Sequence, residues 1–133
     1  MQTSRSYMEA ASAAVPRISA AEAIVRYANA AAVFVDVRDG AAIAATGTIK
    51  DARRIPRGML EFMADPATAA HNKALTNDAE VYLVCAADRQ AALAGKTLFE
   101  GLHQCNQHWR YRGLGQSSWA YRRGLSRLLS PHI

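Results

Sequence analysis

The chain has 133 residues, half of them hydrophobic and 20% charged, the composition of one ordinary globular domain rather than of a disordered or fibrous chain. Sixteen Lys and Arg against eleven Asp and Glu leave a net charge of +5, a balance that suits acidic partners or small anionic substrates. The two cysteines, Cys85 and Cys105, have no partner at metal-ligand spacing, which argues against a zinc site or a disulfide framework and for a reducing compartment, the cytoplasm by default.

No apolar run approaches bilayer length. The first sixteen residues lack the basic start and continuous apolar core of a signal peptide, and are expected to form a frayed or helical arm. Pro16-Arg17-Ile18 could make a short edge strand. Ser19-Ala20-Ala21-Glu22 fits a capping box that opens a helix running to about Ala28, with Asn29 able to end it in a left-handed conformation. Ala32-Val33-Phe34-Val35-Asp36-Val37-Arg38 predicts a strand buried on both faces until its polar end. Asp39-Gly40 reads as a turn, residues 41–46 as a short Ala-rich helix stopped by Gly47, and residues 52–55 as a short strand closed by Pro56. A helical turn over residues 58–63 should end at Asp65-Pro66, and a polar connection follows to Asp78.

Val81-Tyr82-Leu83-Val84 is β-branched and aromatic and too short for a helix. It ends at Cys85, and an Ala/Leu-rich helix is expected from Asp88 to about Gly101. Cys85 therefore lies between the C-terminal end of a strand and the N-terminus of a helix, where unpaired N–H groups and the positive end of the helix dipole favour an anion, whether bound or the thiolate itself. The bland reading is a small buried residue closing a core strand. Residues 104–110 are a weak strand candidate, and an amphipathic helix is expected over residues 116–129.

Strands alternating with helical segments predict an α/β domain with a mostly parallel sheet covered by helices, whose ligands bind beyond the C-terminal strand ends. Arg38, Arg57, Arg89, Arg110 and Arg112 should then lie toward the same end as Cys85. The arginine clusters carry no aromatic-interleaved motif or reading module, so nucleic acid is not an expected partner. Nothing in the sequence sets the oligomeric state.

Five segments resemble, in order, the single-domain rhodaneses or rhodanese-like sulfurtransferases. Val35-Asp36-Val37-Arg38-Asp39 is similar to the family's D-V-R-E segment, and Gly47-Thr48-Ile49 with Ala52 to its G-H-I-P-G-A segment. Ile55-Pro56-Arg57-Gly58-Met59-Leu60-Glu61-Phe62 resembles the I-P-R-G-M-L-E-F stretch of one bacterial branch. The fourteen positions from Cys85 to Leu98 resemble the catalytic loop and helix, C-A-x-G-x-R-S-A-L-A-A-K-T-L, and the segment from Gly113 to Trp119 the closing G-G-x-x-A-W.

The resemblance implies a five-stranded, mostly parallel sheet with helices on both faces, spanning residues 17–133 behind the arm of residues 1–16. It implies a sulfurtransferase in which Cys85 takes the outer sulfur of a thiosulfate-like or persulfide donor as a persulfide and passes it to a thiol or cyanide-like acceptor. Ala86, Ala87, Asp88, Arg89 and Gln90 would form the substrate-binding loop. No metal or organic cofactor is implied. Arg38 and Arg57 are candidate anion contacts, although Asp36 and Arg38 also suit a structural ion pair at the strand end, and Arg57 a surface role.

The chain departs from the family pattern at Asp88, where glycine is common, at Gln90 and Ala91, where arginine and serine are common, and at Lys50-Asp51 in place of Pro-Gly. Cysteine-dependent phosphatases carry an arginine six residues after the cysteine, and that position here is Ala91. A catalytically inactive domain that binds an anion or a partner at the same pocket is the alternative reading. Cys105 reads as a packed strand residue. His71, His103, His108 and His132 show no metal spacing, and Trp109 and Trp119 suit core or groove positions.

Overall fold

The computed structural model describes residues 1–15, 20–28, 32–75, 79–85, 89–98, 100, 110–113 and 129–130. Among the described residues four strands form the main sheet: β1 (Ala32–Asp36), β3 (Arg53–Arg54), β4 (Glu80–Cys85) and β5 (Arg110–Gly113), in the order β3-β1-β4-β5. Every pairing in it is parallel. A separate antiparallel pair joins β2 (Thr48–Ile49) to β6 (Leu129–Ser130). The helices are α1 (Ser4–Ala14), α2 (Ala20–Tyr27), α3 (Gly40–Thr46), α4 (Leu60–Ala64), entered through a 3₁₀ turn at Arg57–Met59, and α5 (Arg89–Thr97).

The sheet separates two cores by the period-two alternation of its strands. Val35, Val37, Val81 and Leu83 point to one side and pack with Ala11 and Val15 at the end of α1, Leu60 and Ala64 of α4, and Ala91, Ala92, Ala94 and Leu98 around α5. Phe34, Tyr82 and Val84 point to the other, against Ala23 of α2 and Ile49. Phe34 and Tyr82 stack with centroids 5.1 Å apart, and Tyr27 tilts onto Phe34 at 5.6 Å. Helices thus cover both faces, as the alternating pattern implied.

The N-terminal residues are helical. Thr3 Oγ1 accepts the Ser6 N–H at 3.1 Å and Ser6 Oγ accepts the Thr3 N–H at 2.9 Å, a reciprocal cap. The helix then packs on α5. A Cβ added to Gly95 would stand 2.9 Å from both Val15 methyls, so the absence of a side chain at Gly95 is what lets the end of α1 approach.

Some predicted elements shift. Asp39-Gly40 is not a free turn: Asp39 is the extended residue before α3, and its carbonyl accepts the first helical bond from the Ile43 N–H at 3.2 Å. Gly47 does stop α3, at φ 77°, with its N–H on the Ile43 carbonyl at 2.7 Å. Of the strand expected over 104–110, residues 104–109 lie outside the described residues and Arg110 opens β5, where β4 supplies the partners, Tyr82 opposite Arg110 through Cys85 opposite Gly113. Leu129, expected to end a helix, is instead a strand residue opposite Ile49. Residues 116–128 and the Pro16-Arg17-Ile18 strand candidate lie outside the described residues, as do Ser19 and Asn29 with their expected capping roles. No described helix is long and apolar enough to cross a membrane.

Candidate active site

In an all-parallel sheet the strand C-termini gather at one edge, and here the register makes them level. Asp36 at the end of β1 lies opposite Arg54 at the end of β3 and Val84 in β4; Cys85, the last residue of β4, lies opposite Gly113, the last of β5. The Val37 N–H donates to the Val84 carbonyl at 3.1 Å, the Ile55 N–H to the Asp36 carbonyl at 3.0 Å, and the Arg57 N–H to the Val37 carbonyl at 3.0 Å. These bonds extend the sheet past the formal strand ends and fix the backbone on which Cys85 sits.

Beneath this edge is a buried polar knot. The Asp36 carboxylate is wholly buried. It accepts the Arg38 backbone N–H at 3.1 Å, Arg38 Nε at 3.0 and 3.2 Å, Arg38 Nη2 at 2.7 Å and the Thr48 hydroxyl at 2.7 Å. Arg38 Nη2 also donates to the Gly47 carbonyl at 2.8 Å. A buried carboxylate is tolerated only when its charge is paired and its lone pairs are filled, and this set does both. The knot ties the end of β1 to the α3–β2 junction. The sequence flagged Asp36 and Arg38 as a structural pair, and that geometry is what the chain adopts. It did not single out the Thr48 hydroxyl, although Thr48 stands inside the G-H-I-like segment.

Arg57 is held elsewhere. Its Nη1 donates to Glu61 at 2.7 Å and its Nη2 to Thr97 Oγ1 at 2.8 Å. Thr97 is the last residue of α5 and Arg89 the first, so this contact falls about 12 Å along the helix from the Cys85 end. The guanidinium joins the 3₁₀ turn and α4 to the far end of α5.

Arg89 and Gln90, placed in the loop by the sequence, are the first two residues of α5. In the first turn of a helix the backbone N–H groups have no intrahelical acceptor, so these positions keep their ability to face an anion. Ala86, Ala87 and Asp88 lie outside the described residues, as do Cys105, His103, His108, His132, Trp109 and Trp119. His71 Nδ1 lies 3.1 Å from the Met63 carbonyl. Among the described residues no group of three or more His, Cys, Asp or Glu side chains could hold a metal ion.

Cys85 thus ends a strand at the C-terminal edge of a parallel sheet, and α5 begins four residues on at Arg89; ligands of such sheets bind at this edge. The rhodanese-like domain model matches residues 19–127, and the chain belongs to that family. A solved structure of a protein of unknown function from Rhodopseudomonas palustris CGA009, described as a possible tyrosine phosphatase, is similar over 90% of this chain and 89% of that one, at 26% identity and a TM-score of 0.79. No curated protein matches the chain.

Proposed function

We propose that the protein is a sulfurtransferase with Cys85 as its nucleophile. The observation that carries this reading is the position of Cys85, closing β4 in the level row of strand ends four residues ahead of the start of α5, in a chain of the rhodanese-like family. The thiolate attacks the outer sulfur of a thiosulfate-like donor. A new S–S bond forms on Cys85, the donor's sulfur–sulfur bond breaks, and sulfite leaves with the bonding pair. In the second half-reaction an acceptor such as cyanide attacks the outer sulfur, thiocyanate leaves and the thiolate is restored. Backbone N–H groups of residues 86–90 would hold the anionic sulfur, as hydrogen-bond donors aimed where charge collects. Arg38 and Arg57 are not needed for this role, since their guanidinium groups are engaged with Asp36 and Gly47, and with Glu61 and Thr97.

A phosphatase reading, suggested by the description of the Rhodopseudomonas protein, lacks its clamp here. The position six residues after Cys85 is Ala91, fully buried in α5. Steady-state thiocyanate formation from thiosulfate and cyanide tests the proposal. Parallel double-reciprocal lines, with activity abolished in Cys85→Ser, are expected. Hydrolysis of p-nitrophenyl phosphate dependent on Cys85, with no thiocyanate formed from any sulfur donor, would overturn it.

A further inference from the structure

A cleft lies on the α2 side of the sheet, at the edge of β1. It has a volume of about 310 Å³ and is lined by Tyr27, Ala32, Val33, Phe34, Lys50, Asp51 and Arg53. Ala32, at its far end, is opposite Glu80, five positions and about 16 Å before Cys85 along the neighbouring strand, and the cleft runs from there along β1 to Arg53, one position short of the end of β3.

Its shape follows from the shortness of β3. That strand covers β1 only at Val35 and Asp36, whereas β4 pairs β1 along its whole length. The Asp36 carbonyl faces β3, accepting the Ile55 N–H, and the Val37 N–H faces β4. By the alternation of a strand, Phe34 and Ala32 turn backbone polar groups toward the side that β3 leaves open. The open edge is three residues, about 10 Å, too short to seat a strand of ordinary length but of the right size for a small ligand.

The lining sets the ligand's chemistry. Lys50 and Arg53 stand at the mouth, and neither makes an ion pair with a carboxylate among the described residues. Asp51, held at φ 65° in the turn between them, offsets one of these charges and leaves the mouth net positive. The apolar part of the lining is Ala32, the Tyr27 ring and the edge of the nearly buried Phe34 ring, whereas the Val33 side chain turns to the opposite core. The Tyr27 hydroxyl donates to the Lys50 carbonyl at 3.1 Å and anchors the turn that carries Lys50 and leads into β3, where Arg53 stands.

We propose that this cleft is a binding site for a small carboxylate with an apolar body, distinct from the Cys85 site. The carboxylate lies against Lys50 and Arg53, and the apolar body lies on Phe34. Amide-resolved NMR titration of the full chain with 3-phenylpropionate tests it, with 3-phenylpropanol as the uncharged analogue. The acid is expected to shift the Phe34, Lys50, Asp51 and Arg53 signals saturably and to bind at least about fivefold more tightly than the alcohol. Lys50→Gln and Arg53→Gln, both at exposed positions, should each weaken the acid and not the alcohol, and Cys85→Ser should change neither. Shifts that do not saturate, equal affinity for acid and alcohol, indifference to both charge variants, or shifts centred on Cys85 would each overturn the proposal.

Discussion

Replacing Gly95 by alanine tests the contact between α1 and α5. In the interior of a helix this change normally stabilises by about 0.8–1.0 kcal/mol, because glycine loses more backbone freedom on folding. Here the new methyl would stand 2.9 Å from both Val15 Cγ atoms and 3.3 Å from Leu83 Cδ1. Valine is stiff at χ1 and Val15 is 1% exposed, so it has nowhere to swing. Overpacking of this kind costs about 1–3 kcal/mol. The two effects together leave Gly95→Ala destabilised by about 1 kcal/mol, a fall in Tm of about 4 °C for a domain of this size. Val15→Ala removes both methyls, and in that background Gly95→Ala should recover its ordinary sign and stabilise. Urea unfolding of the four proteins gives the coupling energy, expected at about 1–3 kcal/mol. If Gly95→Ala stabilises the wild type by the full helical increment and the coupling is nil, α1 does not lie against α5.

Arg38→Met strands the buried Asp36 carboxylate and should cost about 3–5 kcal/mol in denaturant unfolding. Thr48→Val removes one hydroxyl donor to the same carboxylate and should cost about 1–3 kcal/mol; a loss under a few tenths in either would mean that the knot is not formed. Gly47→Ala places a side chain at φ 77° and should destabilise by about 1–3 kcal/mol, read as a lower Tm at unchanged secondary structure. Burial, and then the Asp51 carboxylate, hold the Tyr27 phenol above its ordinary value of 10.0. The folded state keeps a proton that the unfolded chain releases, so this contribution to stability is intact below pH 10.0 and is lost as pH rises from there through the raised folded value. Tyr27→Phe should flatten that alkaline decline, and Asp51→Asn should lower the folded value in a spectrophotometric phenol titration.

The parts of the fold that could be read from the sequence are those where burial dictates residue type. β1 and β4 are covered on both faces, so Val33, Phe34, Val35, Val81, Tyr82, Leu83 and Val84 form apolar runs that point to strands. Gly47 marks the stop of α3 because its φ needs glycine. Tyr111 and Arg112 of β5 carry no such run, and their place in the sheet is set by pairing with β4. The Asp39-Gly40 pair carries turn chemistry that is equally good helix-start chemistry, and local sequence does not separate them. The docking of α1 depends on a missing side chain at Gly95, on another element, which no pattern within residues 4–14 records. Within the site, the Asp36 and Arg38 pair was visible because the residues are two apart, whereas the Thr48 bond reaches across twelve positions. The destination of Arg57 at Thr97, forty positions on, could not be read from its place after a strand.

The central claim is that Cys85 carries sulfur, and intact-protein mass spectrometry reads this directly. The wild type and Cys85→Ser are each incubated with thiosulfate, weighed, treated with cyanide and weighed again. The wild type should gain one sulfur atom and lose it to cyanide, while the variant stays unmodified throughout. A wild type that takes no sulfur from thiosulfate, mercaptopyruvate or a low-molecular-weight persulfide, or a Cys85→Ser variant that takes it equally well, would contradict the account.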